Sequence, residues 1–143
     1  MAYPQQSFIE TKFAANSFWD RRRAVVRKNT LLYQLNMLKK TGRYDAFRLE
    51  WNPIYDDKEL LNWPVPKHLF WDSDVAKWIE GACYFLAETP DSDIDAAVQE
   101  LVDMIRNAQQ DDGYLNIHFT LVRPADRFTN LRDLHELQVL VLF

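Results

Sequence analysis

The 143-residue chain carries a net charge of −4, from 17 basic and 21 acidic side chains. That balance argues against a general affinity for nucleic acid, because binding phosphates needs a positive field. One cysteine, Cys83, excludes an internal disulfide and a cysteine zinc cluster, and no apolar run reaches membrane-spanning length.

Residues 1–16 read as an extended lead-in. Met1 to Ser7 contains Pro4 and two Gln and has neither a basic n-region nor an apolar h-region. It is therefore no secretory signal, and a cytoplasmic location is the expectation. The first helix is predicted from Ser17, where Asp20 three positions on approximates a capping box. Val25, Leu32 and Leu35 recur at helical spacing, and Gly42 after Lys39-Lys40 is a stop signal. Arg21, Arg22, Arg23, Arg27 and Lys28 form a solvated opposite face.

From Tyr44 to Leu69 no period is sustained. Pro53, Pro64 and Pro66 stand among Trp51, Tyr55 and Trp63, and this predicts an irregular connection packed by its own aromatics. Aromatic residues make up 14% of the chain, with five Trp. They suit either a well-filled core or a pocket lined with flat side chains, as sugar sites often are.

Asp72-Ser73-Asp74 opens the cleanest helix, with Val75, Trp78, Ile79, Ala82, Phe85 and Leu86 on one face. Cys83 within it is expected to be a small buried hydrophobe. Pro90-Asp91 ends this helix and starts a third, whose stripe is Ile94, Val98, Leu101, Ile105 and Ala108 and which runs to about Gln109. Asp111-Asp112-Gly113 is a turn signal. Leu115, Ile117 and Phe119 then alternate with Asn116 and His118, which predicts a short extended stretch. Pro124 marks another connection. Asn130 is placed to cap a fourth helix carrying Leu131, Leu134, His135 and Leu137. The chain is expected to stop inside that helix, with residues 138–143 a divergent apolar tail.

Two metal motifs fail at their strictest positions. Asp91, Asp93 and Asp95 resemble the start of a calcium loop, but Ala96 replaces the turn glycine and Val102 the bidentate glutamate. His135-Glu136 resembles half of a zinc-protease motif, but Val139 stands where the second histidine is needed. Asp72 and Asp74 have two readings. Both can be helix-start acids, worth on the order of 1 kcal/mol. Alternatively, one caps while the other faces a cleft and accepts hydrogen bonds from sugar hydroxyls. His135, beside Asp133 and Glu136, is either a ligand-binding imidazole or a half-buried one.

Four segments in order carry a resemblance. They are Ser17-Phe18-Trp19 with Arg22 and Tyr33-Gln34; Asp72-Ser73-Asp74-Val75 with Lys77-Trp78-Ile79-Glu80-Gly81-Ala82; Ala108-Gln109 with Asp111-Asp112-Gly113-Tyr114-Leu115; and Arg127-Phe128 with Asn130-Leu131 and His135-Glu136-Leu137. Together, over residues 17–137, they resemble the N-terminal part of glycoside hydrolase family 127, the β-L-arabinofuranosidase-like enzymes. The resemblance implies an all-α fold, a partial (α/α)6 barrel of roughly the first four helices. In it, inner-helix starts would present Asp72 or Asp74, and His135, to a carbohydrate substrate of arabinofuranoside type. Gln34 is a further substrate-binding candidate, and Tyr114 with the Asn116/His118 edge would help wall the site.

The resemblance also implies retaining hydrolysis by a zinc-held cysteine thiolate, with a glutamate as acid/base. Those residues belong to later parts of the family barrel. No residue here matches them, Cys83 included, so no cofactor and no catalytic residue are expected in this chain. After Leu137 the family would continue with an aromatic, small residues and a Gly-His pair, where this chain has Gln138 to Phe143. The expected function is thus that of a glycoside hydrolase represented by an N-terminal fragment, inactive alone. The alternative is a non-catalytic sugar-binding or protein-interaction helical module.

Overall fold

The computed structural model describes residues 11–50, 71–121 and 124–129. Among these the elements are all helical. The expected irregular connection from Tyr44 to Leu69 is described only to residue 50, and its remainder, the expected fourth helix from Asn130 with His135, and residues 138–143 lie outside the described residues.

The first helix begins as its sequence dictates. Ser17 Oγ accepts from Asp20 N at 3.2 Å, and Asp20 Oδ2 accepts in return from Asn16 N at 2.9 Å. Asn16 holds φ 60° to make that turn, a conformation its short polar side chain tolerates. The helix then runs in three parts: α1 (Phe18–Val25), a π turn (Val26–Thr30) and α2 (Leu31–Lys40). A π turn takes one more residue per turn than α-helix, so an apolar stripe counted at 3.6 residues loses register across it. The expected stripe of Val25, Leu32 and Leu35 is only partly right, because no residue of α1 or of the π turn is buried and Leu32 lies one position off the buried face within α2 itself. Val25 and Leu32 are exposed, and the buried face is Leu31, Leu35 and Leu38. Phe18, Trp19 and Tyr33 are exposed as well, so part of the aromatic content lies outside the core.

Beyond α2 the chain turns back through Gly42 at φ 78°, and Tyr44 N donates to Leu38 O at 3.0 Å. A short 3-10 turn, Ala46–Arg48, then drives Phe47 into the interior with 1% exposure. Tyr44 Oη donates to Glu100 Oε2 at 2.7 Å, and Arg48 Nη2 reaches Glu100 Oε1 at 3.1 Å. Burial first, and then the bond to Glu100, push the Tyr44 hydroxyl well above the usual phenol range.

Helix α3 (Trp71–Leu86) buries Val75, Trp78 and Ala82, with Ile79, Phe85 and Leu86 half-buried against the same cluster. Cys83 is exposed, contrary to expectation, because it lies one position off the stripe that Ala82 occupies. Helix α4 (Ser92–Ala108) buries Ile94, Ala97, Val98, Leu101, Met104 and Ala108. Asp91 Oδ1 accepts from Asp93 N and Ile94 N, both at 3.2 Å, so this acid serves the helix start. We expect Asp91→Ala to cost about 1 kcal/mol in urea unfolding.

Helices α2, α3 and α4 close on one hydrophobic cluster. Trp78 Nε1 donates to Leu31 O at 3.1 Å, which satisfies the one polar atom of a buried indole. The segment expected to be extended forms instead α5 (Ile117–Leu121). Tyr114 to Phe119 are all buried, so the alternation of apolar and polar types does not mark two faces. Asn116 Oδ1 accepts from Phe119 N at 2.9 Å and acts as a helix cap. Among the described residues no helix is long and apolar enough to cross a membrane.

Candidate functional site

Two helix faces and one turn make a cleft of about 400 Å³. From α2 and its end come Gln34, Met37, Leu38 and Thr41, positions i, i+3, i+4 and i+7 of one face. Facing them from α3 come Asp74, Lys77 and Trp78, at i, i+3 and i+4. Arg43 enters from the turn that Gly42 permits.

The polar groups of the cleft divide into committed and available. Arg43 Nε donates to Asp74 Oδ2 at 2.9 Å, and the guanidinium carbon stands 5.5 Å from the Trp71 ring centroid. Thr41 Oγ1 is committed to Met37 O at 2.7 Å. Among the described residues no hydrogen bond engages Asp74 Oδ1 or the Gln34 amide, and Met37, Leu38 and Trp78 supply an apolar wall. Hydroxyl acceptors and donors above an apolar surface are what a sugar ring requires.

Asp72 sits elsewhere. It has 0% exposure; its Oδ1 accepts from Ser73 N at 2.9 Å and its Oδ2 from Ile117 N at 3.3 Å. One acid of the Asp72-Ser73-Asp74 start thus ties α3 to the first residue of α5, and the other faces the cleft. Burial raises the Asp72 carboxyl from 3.8 to about 6, opposed by its backbone hydrogen bonds from Ile117 and Ser73.

The four candidates therefore fall into three places. Gln34 and Asp74 line the cleft together, Asp72 is held inside at the α3–α5 junction, and His135 lies outside the described residues. Tyr114, Asn116 and His118 are buried around α5 and do not line the cleft. Arg43, Met37 and Thr41 carry no motif, and Lys77, though within the second resembling segment, is not among the site candidates. Projecting both helices at 3.6 residues per turn from Gln34 and from Asp74 would find all but Arg43, which arrives through the turn.

The third and fourth resembling segments meet in a structural clasp. Arg127 Nη2 donates to Asp112 Oδ2 at 2.6 Å and its guanidinium lies 3.5 Å from the Tyr114 ring centroid. Tyr114 N donates to Asp112 Oδ1 at 3.1 Å. That backbone bond first, and the bond from Arg127 after it, hold the Asp112 carboxyl below its usual range. Gly113 makes the turn possible with φ 84°.

The described residues do not fit a zinc ion: no three of their His, Cys, Asp or Glu side chains stand together as a metal site. Cys83 is no poised thiolate either. Partial burial, and then the Asp95 carboxylate, push its thiol up, the opposite of what nucleophilic activation needs.

A family model described as β-L-arabinofuranosidase, GH127 catalytic domain, matches residues 14–141. A non-reducing end β-L-arabinofuranosidase from Bifidobacterium longum subsp. longum is 42% identical over 76 residues, covering 50% of this chain and 12% of that protein. The crystal structure of a GH127 β-L-arabinofuranosidase from Geobacillus stearothermophilus T6 matches with a TM-score of 0.70 at 32% identity, over 86% of this chain and 19% of that one. The chain thus spans only a small part of the length of either relative. The helices described above are those of a partial α/α barrel.

Proposed function

The chain belongs to the GH127 β-L-arabinofuranosidase catalytic-domain family, and from that premise we propose that it supplies part of the substrate pocket of a retaining β-L-arabinofuranosidase and none of its catalytic groups. The observation that supports this reading is the cleft in which Gln34 and Asp74 stand together over an apolar wall. Asp74 Oδ1 accepts from a sugar hydroxyl while Arg43 holds the other oxygen, which fixes the carboxylate plane. The Gln34 amide donates to one hydroxyl and accepts from another. The C–H face of the furanose lies on Met37 and the Trp78 edge. His135 belongs to the same proposal as a contact from the next inner helix, and Asp72 acts by holding the backbone on which Asp74 is set.

In this reading the 143-residue polypeptide binds methyl β-L-arabinofuranoside but does not release arabinose from an aryl β-L-arabinofuranoside. We expect Gln34→Ala to weaken binding about fivefold, the equivalent of one neutral hydrogen bond, and Asp74→Ala to weaken it by about tenfold or more. Calorimetric titration checks both. Turnover by the pure chain, or affinities that neither substitution changes, would overturn the assignment.

A further inference from the structure

The cleft holds more positive charge than a neutral pentose uses. Arg43 commits its Nε to Asp74 and one face to Trp71, and its Nη edge meets no carboxylate among the described residues. Lys77, one turn beyond Asp74, is exposed on the same wall and has no ion-pair partner among the described residues. Among the described residues of the cleft two cations therefore stand against one carboxylate, in a chain whose total is −4. The flanking surface is apolar, from Met37, Leu38 and Trp78.

We propose that this cleft accepts a saccharide bearing a carboxylate, a uronic-acid unit within an arabinofuranose-containing glycan. The carboxylate lies along the Nη edge of Arg43, where the planar fork matches its two oxygens. Lys77 Nζ adds a second charge, and the apolar face of the sugar ring lies on Met37 and Trp78. Asp74 holds Arg43 in place and keeps one oxygen for a ring hydroxyl. This inference rests on the reading of the cleft as a saccharide site and specifies the sugar class it takes.

The test is titration of the full chain with methyl β-D-glucuronide and methyl β-D-glucoside, which differ only at C6. We expect the glucuronide to bind about tenfold more tightly, as one charge-assisted pair allows, and the advantage to shrink as salt is raised. Lys77 is exposed, so Lys77→Gln should remove most of that advantage without affecting folding. Arg43→Gln should remove it too. Equal affinity for the two glycosides, or an advantage that survives Lys77→Gln, would overturn the proposal. Inorganic phosphate competing as well as the glucuronide would also overturn it, since the cleft would then be selecting charge and not an acidic sugar. Methyl β-L-arabinofuranoside run in parallel separates the two readings. If it binds and the glucuronide does not, only the acidic-sugar inference falls. If neither binds, the saccharide assignment falls with it.

Discussion

Replacing Leu101 by alanine should lower the unfolding free energy by about 3–4 kcal/mol, the cost of a lost side chain plus the cavity left behind. Leu101 has 0% exposure at the middle of α4, inside the cluster that α2, α3 and α4 share. No polar atom is involved, so the loss is one of transfer and packing alone. The consequence reaches the cleft. Glu100, next along α4, anchors Tyr44 and Arg48, and these hold the turn that delivers Arg43 to Asp74. Loosening α4 should therefore weaken ligand binding even though Leu101 is not among the cleft residues. Urea unfolding checks the magnitude, and a loss below about 1 kcal/mol would show that this site collapses freely and is no central packing position.

The second large effect is a dependence on pH. The Asp72 carboxyl rises from 3.8 to about 6 in the folded protein, chiefly through burial. A shift of that size corresponds to roughly 3 kcal/mol, to order of magnitude. Between the two values the folded chain holds this proton more tightly than the unfolded chain does. Stability from this group is therefore fully present below 3.8 and is lost as pH rises through about 6. Acidification from neutral pH should stabilise the protein through Asp72, opposite in sign to a salt-bridged carboxylate. Asp72→Asn, uncharged at every pH, should flatten this part of the profile. Asp72→Ala leaves Ile117 N without the acceptor it now has, at a cost of about 1–3 kcal/mol. Denaturation at a series of pH values checks all three. A wild-type profile that rises between pH 4 and 6 by the amount assigned here, and loses that rise in Asp72→Asn, would reverse the sign of the argument.

The helices starting near Asp72 and at Asp91 are legible in the sequence because local signals agree with tertiary demand. Their 3.6-residue stripes and their buried faces coincide, and at Asp91 the expected cap is present as well. The first helix is less so, since neither α1 nor the π turn at Val26–Thr30 buries a residue, and the face that α2 does bury, Leu31, Leu35 and Leu38, leaves Leu32 outside. At Leu115 to Phe119 the alternation of types is real, yet both sets of side chains are buried. Only the Asn116 cap and the tether to Asp72 decide for helix. Cys83 shows how narrow the margin is: one position off the stripe turns a buried thiol into an exposed one.

The site is legible in part for the same reason. Gln34 and Asp74 lie on helix faces that meet, so each could be nominated from its own segment. Asp72 and Asp74 could not be told apart from sequence, because both are acids in the first turn of one helix. What separates them is a partner 45 residues away, Ile117, for one, and Arg43, 31 residues away, for the other. Arg43 and Lys77 read as ordinary surface charges until the two faces are brought together.

If this chain carries the sugar-binding cleft we propose, without the groups that cleave the bond, an NMR titration of the isotope-labelled chain with an aryl β-L-arabinofuranoside should show it at the Gln34 side-chain amide and the Trp78 indole. Saturable shifts are expected at both, with the glycoside recovered intact. Shifts absent from those two signals, or arabinose appearing in the tube, would overturn the proposal.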